Sequence, residues 1–269
     1  MRVCGVQNNN YQNYQKPVKF TGNFATVYAE NGRDILYKKY TASFREPFDW
    51  EKYPKFLYEW FKDAMSVIFA NHACSSGEET LSFAAMFIDK LGMEAAEKLF
   101  PIFAFDFDRE NIIAAKSGKF SAYADEIYRM KKYLSNPNKY FNFNEKYRRL
   151  VENPLSPAMG NPVEVAAKPI LTDNIRFFRS NIYDDICRIP DKNVIFSSRN
   201  FWLWQSDDQR HWLVDRMSDK FKDTSSLIMI GDADMLATDI HDLLLNKGFD
   251  PTEIQYVYAR RRPVYRFFN

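Results

Sequence analysis

SVIFANHACSSGEETLSFAAMFIDKLG, residues 66–92, changes periodicity in its middle. Ser66 to Ala70 is a short β-type run and Cys74-Ser75-Ser76-Gly77 is a turn. Glu78 to Leu91 has the apolar spacing of a helix and stops at Gly92. Ile102 to Phe105 then reads as a second strand ending at Asp106-Phe107-Asp108, and Asn111 to Lys116 begins another helix. Strand, turn, helix and strand form a βαβ unit, which requires a parallel sheet with a right-handed crossover. The fold class expected is therefore α/β.

The same pattern continues outward. Strands are expected at Ile175–Phe178, Asn193–Phe196, Ser226–Ile230 and Ile254–Ala259, with helices at about Asp207–Phe221 and Thr238–Asn246. Upstream, Phe48, Trp50, Tyr53, Phe56, Leu57, Trp60, Phe61 and Ala64 recur in steps of three and four, so an amphipathic helix is expected between Pro47 and Met65. Residues 1–22, rich in Asn, Gln and Tyr, read as a disordered tail and residues 23–65 as a short helical extension. Residues 66–269 read as one domain, with an irregular insertion over 131–170 where Asn and Pro accumulate.

Composition narrows the function. Of 269 residues, 46% are apolar and 27% charged, which is globular. Lys and Arg number 37 against 35 Asp and Glu; a net charge of +2 argues against a surface built for nucleic-acid backbones. No apolar stretch is long enough to span a bilayer and no secretory h-region opens the chain, so no membrane insertion is expected. Three scattered cysteines, Cys4, Cys74 and Cys187, fit a reducing cytoplasm.

In an open parallel sheet, ligands bind beyond the carboxyl ends of the strands. The polar groups at those ends are Ser75 to Glu79, Asp106, Ser180-Asn181 and Ser198-Arg199-Asn200. Neither G-x-G-x-x-G nor a phosphate loop is present, and only nine glycines occur. Glu78 and Glu79 open the first helix, where they would repel a pyrophosphate but suit an ammonium group. Asp106 is placed to accept ribose hydroxyls. A ligand with a ribose, an amino group and no phosphate is indicated, and S-adenosylmethionine fits. Taken singly, Glu at a helix N-terminus or Asp at a strand end is ordinary structural chemistry.

Ala73-Cys74-Ser75-Ser76-Gly77-Glu78-Glu79-Thr80-Leu81-Ser82 resembles the A-x-S-T-G-E-E-P-Y-S signature of the CheR family of chemotaxis receptor methyltransferases. Further resemblances follow in the family's order. Ser43-Phe44-Arg45-Glu46 is similar to F-F-R-E, Ala104 to Asp108 to A-[ST]-D-I-D, and Ala115 to Phe120 to A-R-x-G-x-Y. Ser180-Asn181-Ile182 is similar to V-N-L, Ile195 to Asn200 to I-F-C-R-N, and Leu227 to Gly231 to the strand before G-H-S-E. The resemblance implies a Rossmann-like class I methyltransferase, mostly parallel sheet with helices on both faces. It also implies a cofactor set of Ala73, Ser75, Gly77, Glu79, Asp106, Asn181, Ile182, Ser198, Arg199 and Asn200. Arg45 would approach the sulfonium side or the acceptor carboxylate. The acceptor implied is a glutamate of a protein such as a chemoreceptor.

Three departures qualify that reading. The family's active-site Tyr falls on Trp204, and G-H-S-E becomes Gly231-Asp232-Ala233-Asp234. The family's helical N-terminal domain is expected to be mostly missing ahead of Ser43. Another acceptor (a small molecule or RNA), a catalytically silent cofactor-binding module, and a structural protein that kept only the fold stay open at this point. His72 and Cys74 have no partner pair at zinc spacing, and Cys74 reads as a packed loop thiol. Arg260-Arg261-Arg262 and Arg266, with Tyr265, Phe267 and Phe268, read as a basic aromatic tail, either solvated or binding RNA or acidic protein.

Overall fold

A computed structural model describes residues 42–45, 49–144, 163–190, 193–252 and 263–267. Helix α1 (Tyr53–Trp60) carries Pro54 in its first turn, where a missing N–H costs nothing. It leads to β1 (Val67–His72), α2 (Glu78–Leu91), the single turn α3 (Met93–Ala96), β2 (Ile102–Asp106) and α4 (Arg109–Ser117). Then follow β3 (Lys119–Ala122), α5 (Ala124–Tyr133), β4 (Phe141–Asn144), β5 (Val163–Ala167), the short α6 (Pro169–Thr172), β6 (Ile175–Arg179) and α7 (Ile182–Arg188). The last elements are β7 (Asn193–Ser198), α8 (Asp207–Phe221), β8 (Leu227–Ile230), α9 (Asp232–Ala237), α10 (Ile240–Asn246), β9 (Phe249–Pro251) and β10 (Val264–Phe267).

The main sheet has seven strands in the order β6-β2-β1-β7-β8-β10-β9. The five from β6 to β8 are parallel; β10 runs antiparallel to both β8 and β9. Central strands are buried on both faces, so β8 is apolar throughout and β1 is fully buried from Phe69 to His72. One apolar layer joins Trp50, Tyr53, Phe69, Phe83 and Phe87; the other joins Phe196, Trp202, Met217, Phe221 and Tyr265. Much of the 17% aromatic content goes into these two layers. Among the described residues no helix is long and apolar enough to cross a membrane.

Three sequence readings change. Residues 131–170, expected to be irregular, contain the end of α5 and the strands β4 and β5. With β3 these form a separate antiparallel sheet of order β3-β5-β4. The strands are only four or five residues long, and β3 and β5 pair across 40 intervening residues, so local periodicity hid them. At the C-terminus, Tyr265 and Phe267 belong to β10, and Tyr265 is fully buried, so this part is core strand and not tail. The helix expected over Pro47–Met65 is shorter, Tyr53–Trp60. The readings for residues 1–22 and 23–41, the strand at Ile254–Ala259, Arg260-Arg261-Arg262 and Phe268 lie outside the described residues.

Candidate active site

Strand order reverses at β1, which is flanked by β2 on one side and β7 on the other. The loops after β1 and β7 therefore diverge to opposite faces and leave a crevice between them, the usual ligand position in such sheets.

The first wall is the loop 73–77. Ala73 (φ 54°), Ser75 (φ 51°) and Gly77 (φ 91°) all take left-handed backbone. Only glycine does so freely, and a Cβ on Gly77 would lie 3.1 Å from Ala115 Cβ and 3.2 Å from the Phe177 ring. Asp106 holds this loop. Its Oδ2 accepts from the Ser75 N–H (2.8 Å), and its Oδ1 accepts from the Asp108 N–H (2.9 Å) and Asn111 Nδ2 (3.2 Å). Burial raises its pKa above the usual carboxylate value, although these hydrogen bonds oppose the shift.

The second wall is the turn 199–204. Arg199 Nη1 donates to Glu79 Oε2 at 2.9 Å, a buried ion pair that ties the turn to the start of α2. Asn200 is left-handed (φ 58°). Its N–H donates to Asp234 Oδ2 at 2.5 Å, and the Leu203 N–H donates to Asp234 Oδ1 at 3.2 Å. Burial pushes the Asp234 pKa up to about 6 despite these donors.

A third segment, residues 42–45, closes the crevice from the side of α5. The Ser43 N–H donates to Glu126 Oε1 at 2.9 Å, and Glu126 Oε2 accepts from the Tyr123 N–H at 3.0 Å. Phe44 N–H donates to Ser82 Oγ (2.9 Å), and the Phe44 ring stacks on Tyr133. Arg45 is thereby delivered into a cluster of charges. Burial lowers its pKa from the usual guanidinium value; Glu79, Glu78 and Glu126 oppose that shift and Arg199 adds to it. Arg199 also lies over the Trp50 ring, 5.8 Å from its centroid.

The structure thus gathers Arg45, Ser75, Gly77, Glu79, Asp106, Arg199 and Asn200 around one crevice. Other expected residues have their side chains engaged elsewhere. Ser198 Oγ accepts from Trp202 Nε1 (3.0 Å). Asn181 caps α7, its Oδ1 accepting from the Tyr183 N–H at 3.1 Å. Ile182 is a buried member of the core layer beneath. The two tryptophans separate: Trp202 is completely buried, whereas Trp204 is 38% exposed. Cys74 is buried and its thiol pKa is pushed up by burial, the opposite of activation. His72 is stacked between Phe105 and Phe196, and burial lowers its pKa to about 3, so it is neutral. Sequence reading missed Asp234 and Glu126 as site-building residues. The available signal was an acid three residues into a helix, Gly231-x-x-Asp234 and Tyr123-x-x-Glu126, which is capping-box spacing.

The family described as CheR methyltransferase, SAM-binding domain, matches residues 39–247. No curated protein matches the chain. Among solved structures, precorrin 8W decarboxylase from Methanobacterium thermoautotrophicum is similar at 12% identity and a TM-score of 0.34, covering 80% of this chain and 87% of that one. Magnesium protoporphyrin IX methyltransferase from Synechocystis PCC 6803, with bound SAM, is similar at 8% identity and a TM-score of 0.34, covering 80% and 76%. Superpositions this loose transfer neither an acceptor nor a residue role.

Proposed function

The chain belongs to the CheR methyltransferase family, with S-adenosylmethionine as its methyl donor, and on that premise we propose that the acceptor is the side-chain carboxylate of a protein glutamate. The residues present suit the cofactor. Gly77 leaves a cradle that a Cβ would crowd, and no phosphate-binding loop stands in the crevice. A carboxylate has about four lone-pair positions, and Asp106 accepts three N–H groups. That leaves room for one ribose hydroxyl at Oδ2; a second would require Asn111 to swing away. Glu79 would face the ammonium end, while Asn181 keeps its amide donors for the adenine edge.

When bound, S-adenosylmethionine would supply an electrophilic sulfonium methyl carbon to an acceptor carboxylate oxygen, with a neutral thioether as the leaving group. The acceptor is already an anion, so the chain need not remove a proton. What it must do is hold the acceptor in line. The placement of Arg45 carries the proposal: a half-buried guanidinium in the field of Glu79 and Arg199, on a segment held by Glu126 and Ser82 through the backbone N–H groups of Ser43 and Phe44. Planar guanidinium groups suit carboxylates because they can donate two parallel hydrogen bonds. Trp204 would supply an apolar face for the acceptor chain without the hydroxyl of the family's tyrosine.

The test is transfer from methyl-labelled S-adenosylmethionine into cell lysate. Label released from protein as methanol by mild alkali is the expected result, with Arg45→Ala lowering turnover more than affinity for S-adenosylhomocysteine. Label in RNA, or only in small molecules, would overturn the glutamate reading.

A further inference from the structure

We propose that Asp234 is a positioning residue for the transfer: its carboxylate locks the turn 199–204 and so sets where Arg199 and Trp204 stand relative to the loop after β1. This rests on the crevice being the transfer site, but not on glutamate being the acceptor.

Asp234 is completely buried. One oxygen, Oδ2, accepts from the Asn200 N–H at 2.5 Å and the Gly231 N–H at 2.9 Å. The other, Oδ1, accepts from the Leu203 N–H at 3.2 Å. A single side chain thereby binds two residues of the turn and the first residue after β8. Left-handed backbone at Asn200 costs energy that surrounding contacts must offset, and these bonds do so.

Gly231 makes the arrangement possible. A Cβ there would lie 2.6 Å from the Asn200 nitrogen and 2.8 Å from both Asn200 Oδ1 and Asp234 Oδ2. Turn and loop are in direct backbone contact, with no slack for any larger residue. The two ends of the turn face the crevice differently. Arg199 reaches Glu79, and Trp204 stays partly exposed, while Trp202 between them is anchored on Ser198. Asp234 acts through the backbone of this turn. Its departure from the Glu of G-H-S-E and the Trp204 departure therefore fall on one unit. The carboxylate is one methylene shorter than that of a Glu, and a larger ring than that of a Tyr stands at the turn's far end.

Asp234→Asn, Asp234→Glu and Gly231→Ala of the full chain test this by hydrogen–deuterium exchange and by calorimetric titration with S-adenosylhomocysteine. Asp234→Asn should speed exchange at residues 199–204 while residues 227–230 keep parental protection. It should weaken S-adenosylhomocysteine roughly tenfold, the size of one charge-assisted hydrogen bond. Asp234→Glu, which keeps the charge on an arm one methylene longer, should bind S-adenosylhomocysteine more tightly than Asp234→Asn and less tightly than the parent. Gly231→Ala should reproduce the Asn phenotype with the carboxylate intact, and it carries both readings if Asp234→Asn fails to fold. Faster exchange throughout the domain, or parental affinity in both the Asn and the Ala variants, would overturn the proposal. A parent that forms no alkali-labile ester, with these shifts intact, removes the glutamate acceptor and leaves the clamp; ester formation without the shifts does the reverse.

Discussion

The two walls of the crevice are built on one plan with different materials. In each, a left-handed residue of a loop donates its N–H to an aspartate beyond the neighbouring strand: Ser75 to Asp106 at the end of β2, and Asn200 to Asp234 in the first turn of α9. The first wall is made of small residues, Ala73 to Gly77, with left-handed backbone at Ala73, Ser75 and Gly77. The second carries Phe201, Trp202, Leu203 and Trp204, and one of its tryptophans is fully buried. The Glu79–Arg199 pair joins the two walls. An aspartate thus fixes each turn's backbone, and the side chains between that clamp and the crevice differ in size and apolarity.

Breaking the link between the walls should have the largest effect. Glu79→Ala leaves the Arg199 guanidinium buried beside Arg45 without its carboxylate. Loss of one partner of a buried pair costs about 3–5 kcal/mol, so the urea midpoint should fall sharply and S-adenosylhomocysteine binding should disappear. A loss below about 1 kcal/mol would mean that the pair behaves as a solvated one and that the walls are independent.

The clamps themselves should be visible in the pH dependence of stability. The Asp234 pKa in the fold is about 6, raised by burial above its usual 3.8. A raised carboxylate favours the folded state when protonated. Its contribution is fully present below about pH 4 and is lost as pH rises through about 6. The difference between about 6 and the usual 3.8 corresponds to up to about 3 kcal/mol. Asp106 shifts in the same direction. Urea unfolding at pH 4.5 and 6.5 should show a slope of this sign that is smaller in Asp234→Asn; an equal slope in that variant would assign the titration to another group.

Replacing the exposed tryptophan should have the smallest effect on stability. Trp204→Ala should change stability by no more than about 0.5 kcal/mol, yet alter turnover. Trp202→Ala, at a completely buried site, should cost about 3–5 kcal/mol. Similar losses for both would show that Trp204 packs as core and is not an acceptor-facing surface.

The sheet was legible because its strands carry their own signal. Val67 to Ala70 and Leu227 to Ile230 are apolar runs followed by turn residues, and Glu78 to Leu91 ends at Gly92, where φ is 80°. Asp106 and Glu79 were legible from their place at strand and helix ends. The antiparallel sheet β3-β5-β4 was not, since short strands far apart in sequence are defined by their partners. Nor was Asp234. Its neighbours Gly231 and Thr238 suggested only a helix start, and nothing local says that Asn200 and Leu203, about thirty residues earlier, donate to it.

By itself the sequence determined the α/β class and the phosphate-free character of the loop after β1, because periodicity, glycine scarcity and paired carboxylates are properties of contiguous residues; the family was legible only through the resemblance of its ordered short motifs to those of CheR. Tertiary structure decided which charges meet and which tryptophan is exposed. Arg45, Glu79, Glu126 and Arg199 come from four separate segments, and Trp202 and Trp204 differ only in what covers them. Burial and electrostatic pairing depend on distance through space, which residue order along the chain does not specify.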